Sequence, residues 1–392
     1  MMIQAVLGNP NHPEYGVATI PFPIPHDQYT YCMDLLEALE IGDAVKADCK
    51  VVEFDSAYNV LKHMEQCTVN VEELNYLAKR LESFDTGEAA QFQAMAHKLE
   101  LFELKDLINL TFCCQQATVI TDFSDLAAVG RDHYMNLHGG SASVDALDGE
   151  ETARRLIESG GGTITPYGVV YDNGMKLEQV YDGRFFPCYY YEPNVITVAV
   201  TSKNELEDTK HITWLFLPMI QEEIDRALLR GGITDPADVR LRLEDSQLPN
   251  EVDVLLDMEC ETLSDLNELA AATDGLSKAD MEKLGAVVTL AEPKSAAQIK
   301  NLVESLDLFD FAPSAHTPED YGKYMIQQSG HFDYDENLDA FYDYEKYGTE
   351  RMNEEDGMFT DRGYVAYKGF FRMEEVMNGS QSSRMEMGGL SR

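Results

Sequence analysis

This chain of 392 residues carries seventy acidic side chains against thirty basic ones, a formal net charge of -40. Hydrophobic residues make up 44% and aromatic residues 10%, which excludes a disordered acidic tail, poor in both. The anionic coat excludes direct binding to nucleic acid or an anionic membrane and attracts a basic partner surface.

The length calls for two or more domains. The opening MMIQAVLGNP has no basic region and no long apolar run, so no signal peptide is expected. No stretch reaches about 18 apolar residues, so no membrane span is expected either. Seven cysteines form no C-x-x-C pair, which reads as reduced, mostly buried thiols in a cytoplasm. The charge is spread over the chain. Residues 1–200 hold 30 acids and 12 bases, and residues 201–392 hold 40 and 18.

In chain order, the first predicted elements are two strands, 5–7 and 18–24, then an acidic amphipathic helix over 27–39 that stops near Gly42. Asn70, three residues before Glu73, predicts a capped helix start, and 87–99 and 103–110 read as further helices. The segment ETARRLIES reads as a helix. Gly160-Gly161-Gly162 follows it and precedes a strand, the reverse of a phosphate loop, so these glycines are expected to cap and turn.

The same order then recurs about 190–195 residues later. Strands are predicted at 198–200 and 212–218, and a helix at 221–230 stopped by Gly231-Gly232. Thr262-x-x-Asp265-Leu266-Asn267 repeats Asn70-x-x-Glu73-Leu74-Asn75, and 278–286 and 296–306 read as helices capped by Ser277 and Ser295. Gly162-x-x-Thr165-x-x-Gly168-x-Val170 recurs as Gly357-x-x-Thr360-x-x-Gly363-x-Val365 at a constant offset of 195. Agreement at start, middle and end predicts an α+β duplication: copy one over about 1–190, copy two over about 195–370, joined by YYYEPN (189–194). A mobile tail is expected over 371–392. Each copy reads as small α+β modules in a row: a strand pair with a helix, a helical middle and a β-rich end.

The densest charge lies in 301–361, with sixteen acids against three bases. Glu304, Asp307, Asp310, Glu319, Asp320, Asp333, Asp335, Glu336, Asp339, Asp343, Glu345, Glu350, Glu354, Glu355 and Asp356 are the candidate partner-binding carboxylates, interleaved with tyrosines 334, 342, 344 and 347. An ordinary solvated face is the bland alternative, but so much like charge costs stability through self-repulsion. A calcium loop over 333–344 is disfavoured: Leu338 stands where the turn needs glycine, and Tyr344 where a bidentate glutamate belongs.

The histidines show no metal-ligand spacing, and Cys113-Cys114 lies in an apolar run with no neighbouring base to lower a thiol pKa. With seventy carboxylates a close acidic pair arises by chance and is no sign of a glycosidase. No catalytic residue, cofactor or metal is expected, and most Tyr and Phe are expected in the core.

The strand pair entering the FPI-type segment, the acidic helix, the Leu-Asn-x-Leu helix and the stretch YGKYMIQQSGHFDYDENLDAFYDYEKYG followed by GMFTDRGYV resemble the ArdA family of antirestriction proteins. The resemblance is best in copy two; copy one has ETARRLIESGGGTITPYGVV in place of the tyrosine-rich segment. It implies an elongated modular protein, carried by conjugative elements or phages, whose surface carboxylates imitate DNA phosphates. The implied partner is the DNA-binding groove of a type I restriction–modification enzyme. Family members are about one copy long, so two copies in one chain suggest a covalent pseudo-dimer, with a homodimer also possible. At one charge per roughly 1.7 Å of B-DNA, forty charges match on the order of 68 Å, about 20 base pairs. Two other readings stay open at this point: an acidic adaptor or chaperone for a basic DNA-binding protein, and an enzyme with a carboxylate–metal site.

Overall fold

The computed structural model describes residues 3–139, 143–144, 147–203 and 211–379. The described residues of Met1–Tyr191, Asp208–Thr213 and Ile220–Thr234 form one compact unit; those of Glu192–Glu207, Trp214–Met219 and Asp235–Arg392 form a second.

The first unit begins with strands β1 (Ile3–Gly8) and β2 (Val17–Phe22), paired antiparallel from Ile3↔Phe22 to Gly8↔Val17. Ile3, Ala5 and Leu7 are buried on one face, the period-2 pattern of a half-covered sheet. Helix α1 (Tyr29–Ala38) buries Tyr29, Cys32, Met33 and Leu36, one helical stripe. Strands β3 (Cys49–Asp55) and β4 (Thr68–Val69) complete a sheet of order β2-β1-β3-β4.

Helix α2 (Val71–Glu82) starts where Asn70 Oδ1 accepts the Glu73 N–H at 3.0 Å. Helix α3 (Thr86–Lys98) opens on a reciprocal Asp85–Glu88 capping box and buries Phe92, Ala94, Met95 and Ala96. Helix α4 (Leu104–Leu110) closes the helical middle. A third module follows. Strand β5 (Thr118–Ile120), helices α5 (Leu126–His138) and α6 (Gly149–Glu158), and strands β6 (Thr163–Thr165) and β7 (Gly168–Tyr171) form it, with sheet order β5-β7-β6.

The second unit repeats these parts. Strand β8 (Ile196–Ser202) is central between β9 (Thr213–Leu217) and, later, β10 (Val239–Ser246), with order β10-β8-β9. Between β9 and β10 the chain forms helix α7 (Gln221–Arg230), which packs within the first unit. There Arg230, 4% exposed, donates to Ala44 O at 2.8 Å, Asn70 Oδ1 at 3.0 Å, Arg184 O at 2.8 Å and the Tyr181 hydroxyl. Its guanidinium lies 4.4 Å from the Phe186 ring centroid and 3.4 Å from Glu73, and Arg226 pairs with Glu72 at 2.6 Å.

Helices α8 (Asn250–Leu255), α9 (Leu263–Thr273), α10 (Lys278–Ala291) and α11 (Ala296–Val303) make the second unit's helical middle. Thr262, Ser277 and Ser295 cap α9, α10 and α11 as the sequence predicts. Its last module runs through strand β11 (Phe309–Pro313), helices α12 (Pro318–Gln327) and α13 (Tyr344–Glu354), strands β12 (Asp356–Thr360) and β13 (Gly363–Tyr367), and helix α14 (Met373–Met377). Its sheet order, β11-β13-β12, equals that of β5-β7-β6.

Matched devices recur at the same places. Asn75 Oδ1 accepts the Ile24 N–H, and Asn267 Oδ1 accepts the Met219 N–H, each at 2.8 Å. Thr165 and Thr360 each donate a hydroxyl at 2.8 Å across a tight hairpin, to Gly168 O and Gly363 O. Those glycines have φ of +126° and +137°, where a side chain is strained.

The mixed α+β architecture is as expected. Three features differ from the sequence reading. Helix α5 and the pair α12/α13 stand where mainly β-structure was expected, whereas α6 falls on the predicted ETARRLIES helix. Helix α10 runs to Ala291, beyond the predicted 286, because Val287 and Val288 are buried and tertiary packing overrides their β-branched preference. Residues 373–377, expected within a mobile tail, form α14: Val376 is buried and Asn301 Nδ2 donates to Met377 O at 2.8 Å. Residues 380–392 of that tail lie outside the described residues.

Candidate protein-interaction surface

The fifteen candidate carboxylates all belong to the second unit, distributed from the end of α11 to β12. Twelve are exposed; Asp310, Asp320 and Glu355 are half-buried. Helix termini place several of them. Thr317 caps α12 and sets Glu319 and Asp320 in its first turn, where acids complement the helix dipole. The Thr317 hydroxyl holds the Asp320 carboxyl below the usual carboxylate range. Asp335 caps a 3-10 turn over Glu336–Phe341, accepting the Asn337 N–H at 2.9 Å, and Asp343 caps α13 through the Lys346 N–H at 3.1 Å. The cap residues therefore fold the segment and keep their charge at its surface.

Counter-charge is uneven. Glu304 pairs with Lys300 at 3.5 Å, Glu319 with Lys323 at 2.8 Å, Glu350 with Lys346 at 4.0 Å and Glu354 with Arg351 at 3.8 Å; Asp310 pairs with Lys368. Exposed pairs of this kind contribute little stability. Asp307, Asp333, Asp335, Glu336, Asp343, Glu345 and Asp356 form no ion pair among the described residues.

Two of the fifteen have other work. Asp339 Oδ1 accepts the Tyr334 hydroxyl at 2.8 Å, Gln327 Nε2 at 2.9 Å and the Tyr344 hydroxyl. The hydroxyls of Tyr344 and then Tyr334 hold its carboxyl below the usual range. It is the fastening point that ties the 3-10 turn to α12 and α13. Glu355 departs from the expected surface array: its side chain is only 14% exposed, accepts the Tyr321 hydroxyl at 2.6 Å and pairs with Arg351. The signal for Asp339 was the interleaved tyrosine, a phenol that seeks an acceptor when its ring packs; the partner of Glu355, Tyr321, lies outside that interleaved set.

The helix pair beneath this surface is held unusually close by glycine. A Cβ on Gly322 would fall 2.1 Å from Tyr344 O, and one on Gly348 would fall 1.8 Å from Pro318 O. In the first unit Gly130 and Gly149 bring α5 and α6 together in the same way. That unit's third module lacks the tyrosine-rich segment but not the charge. A cleft of about 1030 Å³ between that module and α3 is lined by Asp85, Glu88, Asp122, Asp125 and Asp132, with no lysine or arginine on its walls.

The structure does not form a calcium loop over 333–344, where the 3-10 turn stands. Among the described residues no group of three or more His, Cys, Asp or Glu is arranged to hold a metal ion. Gly160 and Gly161 turn the chain between α6 and β6 with φ of +73° and +85°, as a cap and turn. Cys113 and Cys114 are buried, and burial pushes both thiols up. The expectation that most Tyr and Phe lie in the core has local exceptions. Phe341 is 84% exposed and Phe332 49%.

No helix among the described residues is long and apolar enough to cross a membrane. Residues 209–366 match the family model described as antirestriction protein (ArdA). No curated protein matches the chain.

Proposed function

We propose, from the match of residues 209–366 to the ArdA antirestriction family model, that this chain is a DNA mimic. In this reading it is no enzyme. It occupies the DNA-binding groove of a restriction–modification enzyme, of type I, with side-chain carboxylates standing in for phosphates. The observation that carries the reading is the run of exposed acids from Asp333 to Glu354, in which residues 329–345 hold six carboxylates and no lysine or arginine.

Such an array favours a basic groove for the reason DNA does. Long-range attraction speeds encounter, and the complex weakens as salt screens the charges. Asp335 and Asp343, fixed as helix caps, hold their charge at set positions, which lowers the ordering cost of binding.

The chain acts, in the same proposal, as an elongated pair of tandem copies, 1–190 and 195–370, that form a pseudo-dimer in one polypeptide. The repeated sheet orders and the Asn75 and Asn267 devices support the duplication. Cys32, Cys49, Cys67, Cys113, Cys114 and Cys260 form no disulfide, consistent with a cytoplasmic site of action.

The deciding experiment titrates the protein into cleavage of unmodified DNA by a purified type I enzyme at two salt concentrations. Stoichiometric protection, relieved by salt and by excess competitor DNA, is expected. Protection that salt leaves unchanged would sink the proposal. Capture of a basic protein outside restriction systems from a host lysate, with no protection of DNA, would favour the adaptor role instead. Light scattering and small-angle scattering test the pseudo-dimer and its elongation: a stable homodimer or a compact envelope counts against them.

A further inference from the structure

The acid-rich segment between α12 and α13 displays three apolar side chains that a pure phosphate mimic does not need. Phe332, Leu338 and Phe341 are 49%, 47% and 84% exposed. Scattered single apolar residues need no explanation, but three within ten positions, ringed by carboxylates, have the make-up of an interaction surface.

The segment that carries them is built to hold still. Asp339 gathers hydrogen bonds from Gln327 of α12, from Tyr334, and from Tyr344 of α13. Asp335 caps the 3-10 turn bearing Leu338 and Phe341, and the Phe332 ring meets Tyr347 edge-on at 5.8 Å. Side chains displayed on a fixed turn lose little freedom on binding, so their burial goes into affinity.

We infer that Phe332, Leu338 and Phe341 are apolar anchors that insert between the lysine and arginine side chains of the partner's DNA-binding surface. This rests on the DNA-mimic reading above. The carboxylates bring the partner in and set its register; the anchors hold it. Charge complementarity selects that occupant. A second copy of this chain would bring six more carboxylates against the same six with no intervening base, whereas a DNA-handling surface supplies guanidinium and ammonium groups. Those cations also lie favourably over exposed aromatic faces.

Charge and apolar burial leave different signatures. Each ion pair that replaces a phosphate contact steepens the fall of log K with log salt, while apolar contact shifts affinity at every salt concentration alike. The test is equilibrium binding of the full chain to a purified type I methyltransferase across a salt series. The variant Phe332→Ala/Leu338→Ala/Phe341→Ala should raise Kd at least about tenfold at each salt with an unchanged slope. The variant Asp333→Asn/Asp335→Asn/Glu336→Gln should flatten the slope. Ile164→Ala, equally exposed in the first unit at 84%, should leave Kd unchanged.

A triple-alanine variant that binds as wild type does, or that changes only the slope, overturns the anchors and leaves the DNA-mimic reading standing. So does a wild-type dimer that this variant converts to monomer, since the patch then belongs to a second copy. Failure of the wild-type chain to bind overturns the mimic reading, and the anchors with it. Circular dichroism and melting of the alanine variant should match wild type, because the three side chains contribute little to the core.

Discussion

Arg362 grips Glu251 with both arms of its fork: Nε donates to Oε1 and Nη2 to Oε2, each at 2.8 Å. The pair joins the hairpin of β12 and β13 to α8, and Gly285 of α10 leaves the room for it, since a Cβ there would fall 2.3 Å from Arg362 Nε. Arg362→Ala should destabilise the second unit by about 2 kcal/mol, because it removes a charge-assisted, two-point bond. The hydrogen bond from Arg362 holds the Glu251 carboxyl below its ordinary value of 4.5. A depressed carboxylate stabilises fully above that value and loses its contribution as pH falls through the lowered pKa. Denaturant melts from neutral pH to pH 3 should therefore show a shallower acid loss in Arg362→Ala than in wild type.

The buried guanidinium of Arg230 gives a second prediction, for the first unit. Its donors reach Ala44 O, Asn70 Oδ1, Arg184 O and Tyr181, beside Glu73. Removing it takes the side-chain donor from the Ala44 and Arg184 carbonyls and the cation from beside Glu73, so Arg230→Ala should cost about 3–5 kcal/mol. Arg230→Lys should recover less than half, since an ammonium cannot reproduce the planar fork. Chemical denaturation followed by the fluorescence of single-tryptophan reporters placed in that unit would measure both.

Glycine at the helix crossing is open to a direct check. Gly348→Ala must displace Pro318 O, and Gly322→Ala must displace Tyr344 O. Each should destabilise the last module by at least about 2 kcal/mol through overpacking. Amide exchange in α12 and α13 should accelerate while exchange in α9 and α11 stays unchanged.

Charge should trade stability for function. Neutralising Asp333, Asp335, Glu336, Asp343 and Glu345 to their amides keeps the caps, because Asn caps as well as Asp. At low salt this variant should melt several degrees higher than wild type, and added salt should close the gap by screening wild-type repulsion. Inhibition of the restriction enzyme should fall sharply in the same variant, while any single change should alter it less than about threefold. A lower melting temperature at low salt would contradict this.

Thiol labelling reports on burial and local charge together. Cys67 and Cys260 are exposed, and Cys32, Cys49, Cys113 and Cys114 are buried. A hydrogen bond and the charge of Asp257, joined by Glu259 and Glu261, push the Cys260 thiol up. At pH 8 Cys67 should label first with a neutral disulfide reagent, Cys260 more slowly, and the four buried thiols only on unfolding.

Capped, amphipathic elements were legible in the sequence because their signals are local. Asn70, Thr262, Ser277 and Ser295 each mark a true helix start, and the predicted 221–230 coincides with α7. Helix α6 was legible as ETARRLIES, but α5 and the pair α12/α13 were not. Their contact face is made by glycines such as Gly322 and Gly348, which add no hydrophobic period and read as breakers. The site was partly legible: the carboxylates were visible as composition. Which of them face water was not, since the burial of Glu355 and the role of Asp339 depend on tyrosines that fold back from neighbouring elements. Strands β3 and β10 escaped notice because exposed Glu53, and Arg242 and Glu244, interrupt their apolar runs.

The lodging of α7 in the first unit, with β8 and β9 in the second, has a practical meaning for dissection of the protein. No single scissor point in the gene yields two intact halves. A clone ending at Tyr191 would strip Glu72 and Glu73 of their guanidinium partners and misreport the first half as inert. Exchange of either segment meets the same obstacle, so the interleaved path of the chain binds its two parts to a shared inheritance.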